Sequence, residues 1–375
     1  MRVQIVDPSA QTPPFDHALC AALARHGAHV ELLTSGFVHG AVPDPVGYEV
    51  DDSVYPRSSR LRSGSAARRA TGLAEHLPAM LRHRRRADAF DVVNYQWLTL
   101  PALDAWLLPA RPVKVWTTHG FLRAAEGGGT AGPRRALERM DAVIALSGFG
   151  ARRLKEEAGV EAERIEVIPH GAFDHLAKLP QRPLPAELEG ARGPVILCFG
   201  LIRPYKGVDV LLRAFADLGP GPELWIVGRP LGVDLAELER LAARAPGRVR
   251  MLTRYTPDAD VPAIFRAADL VVLPYRDAEQ SGVLATALAF GKAIVASDVG
   301  GFGEVAAVTS DERPTIALVP PGDEEELAAA LTRLLADTGE RERLEAAAAA
   351  AAAGPYSWDR VALKTLALYE RLGSR

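Results

Sequence analysis

Residues 268–305 read ADLVVLPYRDAEQSGVLATALAFGKAIVASDVGGFGEV, from Ala268 to Val305. Asp269 to Pro274 is a short β-branched, apolar run, the pattern of a buried strand. Tyr275 to Gln280 is a polar turn. Ser281-Gly282 opens an apolar, alanine-rich segment that reads as a buried helix, and Gly291-Lys292 stops it, as a glycine past the last turn does. Ala293 to Ser297 is a second buried strand, closed by Gly300-Gly301. A helix that begins just past a strand end, with Ser-Gly in its first turn, presents unpaired backbone N–H groups to an anion. An ordinary strand–helix–strand unit that binds nothing has the same pattern, so both readings stand on this stretch alone.

The same alternation extends outward in both directions. Arg2 to Val6 is an apolar strand, Asp7 to Phe15 a proline-rich loop, Asp16 to His26 a helix ended by Gly27, and His29 to Leu33 the next strand. The first loop lies at the carboxyl end of the first strand, where open α/β sheets place ligands. It has no GxGxxG, so a dinucleotide fingerprint is absent. Val92 to Tyr95 and Val113 to Thr118 read as parallel strands, with Thr118-His119-Gly120 at the end of the second. Glu126 to Gly132 reads as a flexible glycine-rich loop. Ala142 to Leu146 is a strand whose Ser147 caps a helix through Lys155, and Ile165 to Ile168 precedes Pro169-His170-Gly171. Leu176 to Gly193 is proline-rich without periodicity and is expected to be a linker.

A second α/β series follows. Val195 to Phe199, Glu223 to Val227 and Val249 to Leu252 read as strands, with helices at Val208 to Leu218, Leu235 to Ala245 and Asp260 to Ala268. Thr315 to Val319 is a late strand, Glu324 to Ala353 one long helix, and Ser357 to Leu372 a final amphipathic helix capped by Ser357. The expected domains are residues 1–175 with 357–375, and 194–356, joined by a linker at 176–193.

Composition bounds the function. The 375 residues suffice for two domains, and 48% hydrophobic with 24% charged residues is the balance of a soluble globular protein. A net charge of -3 argues against a nucleic-acid partner. Cys20 and Cys198 lie in apolar surroundings, which excludes a disulfide framework and suits a reducing compartment. No Cys/His cluster has zinc spacing, and no apolar run is long enough to span a bilayer. Met1 leads directly into a strand pattern, so a signal peptide is not expected. The expected site of action is the cytoplasm or the inner face of its membrane. Between residues 56 and 86, Arg57, Arg60, Arg62, Arg68, Arg69, Arg82, Arg84, Arg85 and Arg86 face Glu75 alone. This region is either a solvated loop and helix face, with Leu73 to Leu81 as an amphipathic helix, or a patch for peripheral contact with anionic lipid or an anionic acceptor.

Arg203 and Lys206 lie in the loop Gly200-Leu201-Ile202-Arg203-Pro204-Tyr205-Lys206-Gly207, again between a strand and a helix. Two cations among glycines suit a diphosphate. With the Ser281-Gly282 helix start, the second domain carries two anion-binding elements at strand ends. No P-loop pattern is present.

Taken in order, these are a Lys-Gly loop after a strand, a strand ending in Gly228, the Ala268-Asp269-Leu270 strand, the Ser-Gly helix start, Gly291-Lys292 and Asp298-Val299-Gly300-Gly301. The set resembles the retaining nucleotide-sugar glycosyltransferases of the GT-B fold, family 4 type. The likeness covers most of the chain and is strongest from Val195 to Glu304. It implies an α/β architecture of two Rossmann-like domains facing across a cleft, with the C-terminal helix crossing back to the first. It implies transfer of a sugar from a nucleoside diphosphate to a hydroxyl of a glycan, lipid or small-molecule acceptor, with retention and with neither metal nor cofactor. The donor diphosphate would be held by Arg203, Lys206 and the backbone of Ser281, Gly282 and Val283. Glu279, Gln280 and Thr286 would meet the donor sugar or ribose, and Gly228, Arg254 and Tyr255 would line the base pocket. His119 matches the histidine near the transferred sugar and acceptor. The bland reading of His119 is a loop histidine bonded to backbone.

Two departures from the family pattern stand out. Family members carry two glutamates eight positions apart, and those places hold Ala278 and Thr286, with Glu279 one position off the first. A threonine hydroxyl makes only a weaker substitute contact to ribose. The first loop has Pro13-Pro14 where paired glycines are common. A nucleotide-sugar epimerase would need cleft carboxylates for acid and base work, and no convincing set is seen. A catalytically silent nucleotide- or glycan-binding protein is the rival from another class.

Overall fold

The computed structural model describes residues 1–37, 42–61, 64–120, 131–308 and 313–374. The chain divides into two compact units, Met1–Gly171 with Trp358–Arg375, and Ala172–Ser357.

The first unit holds strands β1 (Arg2–Asp7), β2 (His29–Thr34), β3 (Glu49–Asp51), β4 (Val92–Tyr95), β5 (Val113–Thr118), β6 (Ala142–Ala145) and β7 (Ile165–Val167). All pair in parallel, in the order β3-β2-β1-β4-β5-β6-β7. Val3 lies between Val30 and Val92, and both β4 and β6 are buried along their whole length. Continuous apolar runs of this kind follow from helices covering both sheet faces. Strand order reverses between β1 and β4, so the crevice at their carboxyl ends is the natural ligand position. The C-terminal helix Trp358–Gly373 belongs to this unit. Asn94 Nδ2 donates to Tyr369 Oη at 2.7 Å, and Asp359 and Glu166 take Arg25 and Arg371.

Several local expectations change. The first helix is Pro13–Arg25, so Pro13 and Pro14 are its first turn and not loop. Proline suits that position because the missing N–H has no intrahelical acceptor there. The basic helix runs Ala66–Arg86 through Pro78, which is exposed, as is Ala74, whose carbonyl the proline frees to water. Arg62 lies outside the described residues. Ala131 and Gly132 open a helix, Ala131–Glu138, where a loop was expected; the rest of that loop, 126–130, is outside the described residues. A Cβ at Gly132 would stand 3.0 Å from Ala102 N, so glycine lets this helix pack against the helix Pro101–Leu107.

The second unit holds β8 (Val195–Phe199), β9 (Glu223–Val227), β10 (Arg248–Leu252), β11 (Leu270–Leu273), β12 (Ala293–Ser297) and β13 (Ala317–Val319), parallel and in the order β10-β9-β8-β11-β12-β13. Order reverses between β8 and β11. Residues 176–193 are not a free linker. Leu176 and Leu188 are buried in this unit's core, and the buried Arg250, paired with Glu223 at 2.7 Å, takes the carbonyls of Glu187, Glu189 and Gly190. The expected helix Glu324–Ala353 is two, Glu324–Ala336 and Thr338–Ala353, because Asp337 leaves helical geometry and caps Glu340 N. Among the described residues, no helix is long and apolar enough to cross a membrane.

Candidate active site

At the reversal of the second sheet, the loops after β8 and β11 touch. Gly207, with φ +65°, starts the helix Val208–Ala216, and a Cβ there would collide with the Pro274 carbonyl oxygen. Gly200, with φ +96°, is the meeting point of the two anion-binding elements. A Cβ on it would stand 2.9 Å from Val283 Cγ2 and 3.0 Å from Lys206 Nζ. The backbone collision excludes a side chain at Gly207, and at Gly200 the positive φ makes any other residue strained. Ser281 caps the helix Gly282–Ala289 through Leu284 N at 3.3 Å, which leaves Gly282 and Val283 as the first helical residues with N–H groups beyond the reach of an intrahelical acceptor.

Lys206 is 7% exposed, and its ammonium rests 5.2 Å from the centroid of the Tyr275 ring. Arg203 is half-buried; among the described residues its guanidinium has no side-chain partner. A clamp that sequence reading missed fixes this loop. Arg276 binds Asp209 through both guanidinium nitrogens, at 2.8 and 2.6 Å, donates from Nη1 to Pro204 O at 3.1 Å, and donates its backbone N–H to Tyr205 O at 2.7 Å. Burial pushes the Asp209 carboxyl up, but hydrogen bonds from Arg276 and Arg213 outweigh it and hold the pKa at about 2.

Glu279 and Gln280 stand half-buried in the turn before the helix. Gln280 Oε1 is shielded from water and has no hydrogen-bond partner among the described residues. Thr286 is buried, and its hydroxyl donates to Gly282 O at 2.8 Å. Its proton is spent inside its own helix, so the weak substitute contact expected of it shrinks to an acceptor lone pair. Gly228 follows β9, and its N–H donates to Leu252 O at 2.9 Å, which brings it beside the turn of Arg254 and Tyr255. Arg254 is exposed and pairs with Glu187 at 3.4 Å; Tyr255 is 39% exposed.

In the first unit His119 follows β5. Among the described residues its ring is bonded to a side chain and not to backbone: Nε2 lies 2.9 Å from Gln96 Oε1, which makes Nε2 the protonated nitrogen. Trp97 stacks on the ring at 5.4 Å, Phe15 meets it edge-on at 4.7 Å, and Nδ1 is buried with no partner among the described residues. Burial, with His170 nearby, lowers its pKa to about 3, so the imidazole is neutral and offers a lone pair at Nδ1. Across the β1/β4 crevice Ser9 Oγ and Thr99 Oγ1 are 3.0 Å apart, and Trp97 Nε1 donates to Thr12 Oγ1 at 2.9 Å. Beneath them Asp7 accepts from Gln11 N at 2.6 Å and Thr12 N at 3.0 Å. Asp7 and the neighbouring Asp16 are buried, and burial raises both carboxyl pKa values. Among the described residues, no group of three or more His, Cys, Asp or Glu side chains is placed to hold a metal ion.

Comparison with known proteins adds the following. Residues 193–337 match the model described as Glycosyl transferases group 1, and residues 17–172 that described as Glycosyltransferase Family 4. A D-inositol 3-phosphate glycosyltransferase of Jonesia denitrificans is 31% identical over 94% of this chain and 89% of its own length. One from Mycobacterium tuberculosis is 29% identical over 93% of this chain and 76% of its own. Among solved structures, sucrose-phosphate synthase of Thermosynechococcus elongatus superposes with a TM-score of 0.73 at 21% identity, covering 100% of this chain and 99% of that one. Anabaena HepE in complex with UDP-glucose gives 0.69 at 21%, with both chains covered completely. The chain is therefore a glycosyltransferase with the GT-B fold, a member of the group 1, family 4 glycosyl transferases.

Proposed function

We propose that the protein moves a hexosyl group from a nucleoside-diphosphate sugar to an acceptor hydroxyl with retention of anomeric configuration. The observation that carries this reading is the convergence of the Lys206 ammonium and the first turn of the helix Gly282–Ala289 over Gly200, at the reversal point of the second sheet. A diphosphate seated there meets a desolvated cation, two free N–H groups at Gly282 and Val283, and Arg203 in the same loop. These groups stabilise the charge that develops on the leaving diphosphate as its bond to the sugar breaks, work that calls on no metal. Gln280, with its shielded and unpartnered Oε1, and Glu279 face the donor's hydroxyls. Gly228, Arg254 and Tyr255 border the base. His119, neutral and held by Gln96, serves the transferred sugar and the acceptor hydroxyl.

HepE is seen with UDP-glucose, so uridine nucleotides are the first donors to test; the relatives' name makes an inositol phosphate the first acceptor. Such a donor places the reaction in the cytoplasm. A thermal-shift screen of nucleoside diphosphates and their sugars tests the donor site, because a ligand that binds only the folded state raises its melting temperature. One nucleotide series should raise it and bare nucleosides should not; no response to any diphosphate contradicts the reading. Ala278 and Thr286, in place of the family glutamates, favour a second reading, a silent nucleotide-binding protein. Turnover separates the two.

A further inference from the structure

The basic helix Ala66–Arg86 buries His76, Ala79, Met80 and His83. Beside that face, Leu73, Leu77 and Leu81 recur every fourth residue and stand 63%, 44% and 37% exposed. Side chains four apart form one line along a helix. The helix Pro101–Leu107 lies on the same flank: His76 Nε2 is 2.6 Å from Asp104 Oδ1, and Arg84 Nη1 donates to Trp106 O at 3.2 Å. It adds Leu103 and Trp106, 37% and 54% exposed. The indole carries Arg135 of the helix Ala131–Glu138 and Arg139 just past its end, with guanidinium carbons 4.5 and 5.1 Å from its centroid. Five large apolar side chains thus form one patch in water, where monomeric proteins scatter such residues singly.

The charge around the patch is predominantly positive. The basic helix carries Arg68, Arg69, Arg82, Arg84 and Arg85 against Glu75 alone, while its last arginine, Arg86, is paired with Glu31 and Asp51. Glu75 is on the far flank, accepting from the backbone N–H groups of Arg57 and Ser58. On the third helix Glu138 is flanked by Arg135 and Arg139.

We propose that this face of the first unit docks on an anionic lipid bilayer. The leucines and the Trp106 ring enter the headgroup region, and the surrounding arginines pair with lipid phosphates. An indole edged by guanidinium groups suits that boundary, which is apolar on one side and wet and anionic on the other. A second copy of this chain fits poorly, since the face would set its own arginines against one another.

Co-sedimentation of the full-length protein with vesicles tests this. Vesicles of phosphatidylcholine containing phosphatidylglycerol should bring the protein down; phosphatidylcholine alone should not, and added salt should weaken the binding by screening. The double variant Leu73→Gln/Leu77→Gln should lose most of the binding. Arg82→Gln/Arg85→Gln, at exposed positions that hold no other part of the fold, should lower it roughly thirtyfold. Nucleotide affinity should stay unchanged in both, which separates this surface from the donor site. Absence of binding to phosphatidylglycerol vesicles overturns the proposal. So does equal binding by the variants, or a dimer in solution that the leucine substitutions break.

Discussion

Replacing Lys206 by methionine deletes one ammonium and keeps an unbranched apolar stem. The side chain is 7% exposed, with its charge 5.2 Å from the Tyr275 ring centroid and adjacent to Gly200. Withdrawing an ammonium from water is unfavourable, and the ring recovers about 0.5–2 kcal/mol of that cost. In the ligand-free protein the lost ring contact and the relieved desolvation oppose each other, so the melting temperature should move by only a few degrees. No such cancellation occurs in the complex. A hydrogen bond to a charged group is worth about 1.5–3 kcal/mol, so the dissociation constant of a nucleoside diphosphate should rise roughly 10- to 150-fold. Calorimetric titration reads this directly, with the bare nucleoside as the control that should not change. A folded Lys206→Met protein whose diphosphate affinity stays within about threefold of the original refutes the assignment, as does an equal loss for the nucleoside.

His119→Ala should lower turnover by about tenfold or more while donor affinity stays nearly constant, as a group near the reacting centre requires; equal losses would assign His119 to the fold. Asp209→Asn should loosen the Arg276 clamp on residues 204–205, weakening diphosphate binding and lowering the melting temperature, with unchanged affinity as the contrary result. Because the Thr286 hydroxyl is engaged by Gly282 O, ribose should be preferred over 2′-deoxyribose by less than about tenfold, or roughly 1.4 kcal/mol, in paired titrations of the two nucleoside diphosphates. A stronger preference would mean that another residue has taken over the glutamate's work. The protein should also be acid-labile. Burial lowers His83 and His170 to about 4 and His119 to about 3, from 6.5, so the unfolded chain binds more protons below the usual value. Each histidine then removes about 1.4 kcal/mol of stability per pH unit as pH falls from about 6.5 towards 4. Asp7 and Asp16, raised in the fold, act in the opposite direction. His83→Phe should lower the slope of urea-unfolding free energy against pH by one proton, and an unaltered slope would contradict the cause given.

Much of the second unit was legible because buried parallel strands are continuous apolar runs, and β11, the helix Gly282–Ala289 and β12 are all of that kind. Lys206 and the Ser281-Gly282 start were legible as loop chemistry, yet nothing local indicates that Lys206 is buried. The Asp209–Arg276 clamp spans 67 residues and exists only because β8 and β11 are neighbours, an adjacency that strand periodicity does not specify. Pro13-Pro14 misled because proline serves a turn and a first helical position equally well. The break at Asp337 was present as an Asp-x-x-Glu cap, but the alanine run after it has helix propensity strong enough to hide it. The Asp7–Asp16 pair escaped notice because its members are unremarkable until burial raises both. The second family glutamate's place holds Thr286, and sequence shows the substitution without showing where the hydroxyl points.

The most direct test is product analysis by proton NMR after incubation with the nucleotide sugar that gives the largest thermal shift and an inositol phosphate or other hydroxyl acceptor. The unmodified protein should release free nucleoside diphosphate in step with a glycoside that has the donor's anomeric configuration, and Lys206→Met at the same concentrations should release little of either. Nucleotide binding without sugar release, or a product of inverted configuration, would contradict retaining transfer from a donor held at Gly200.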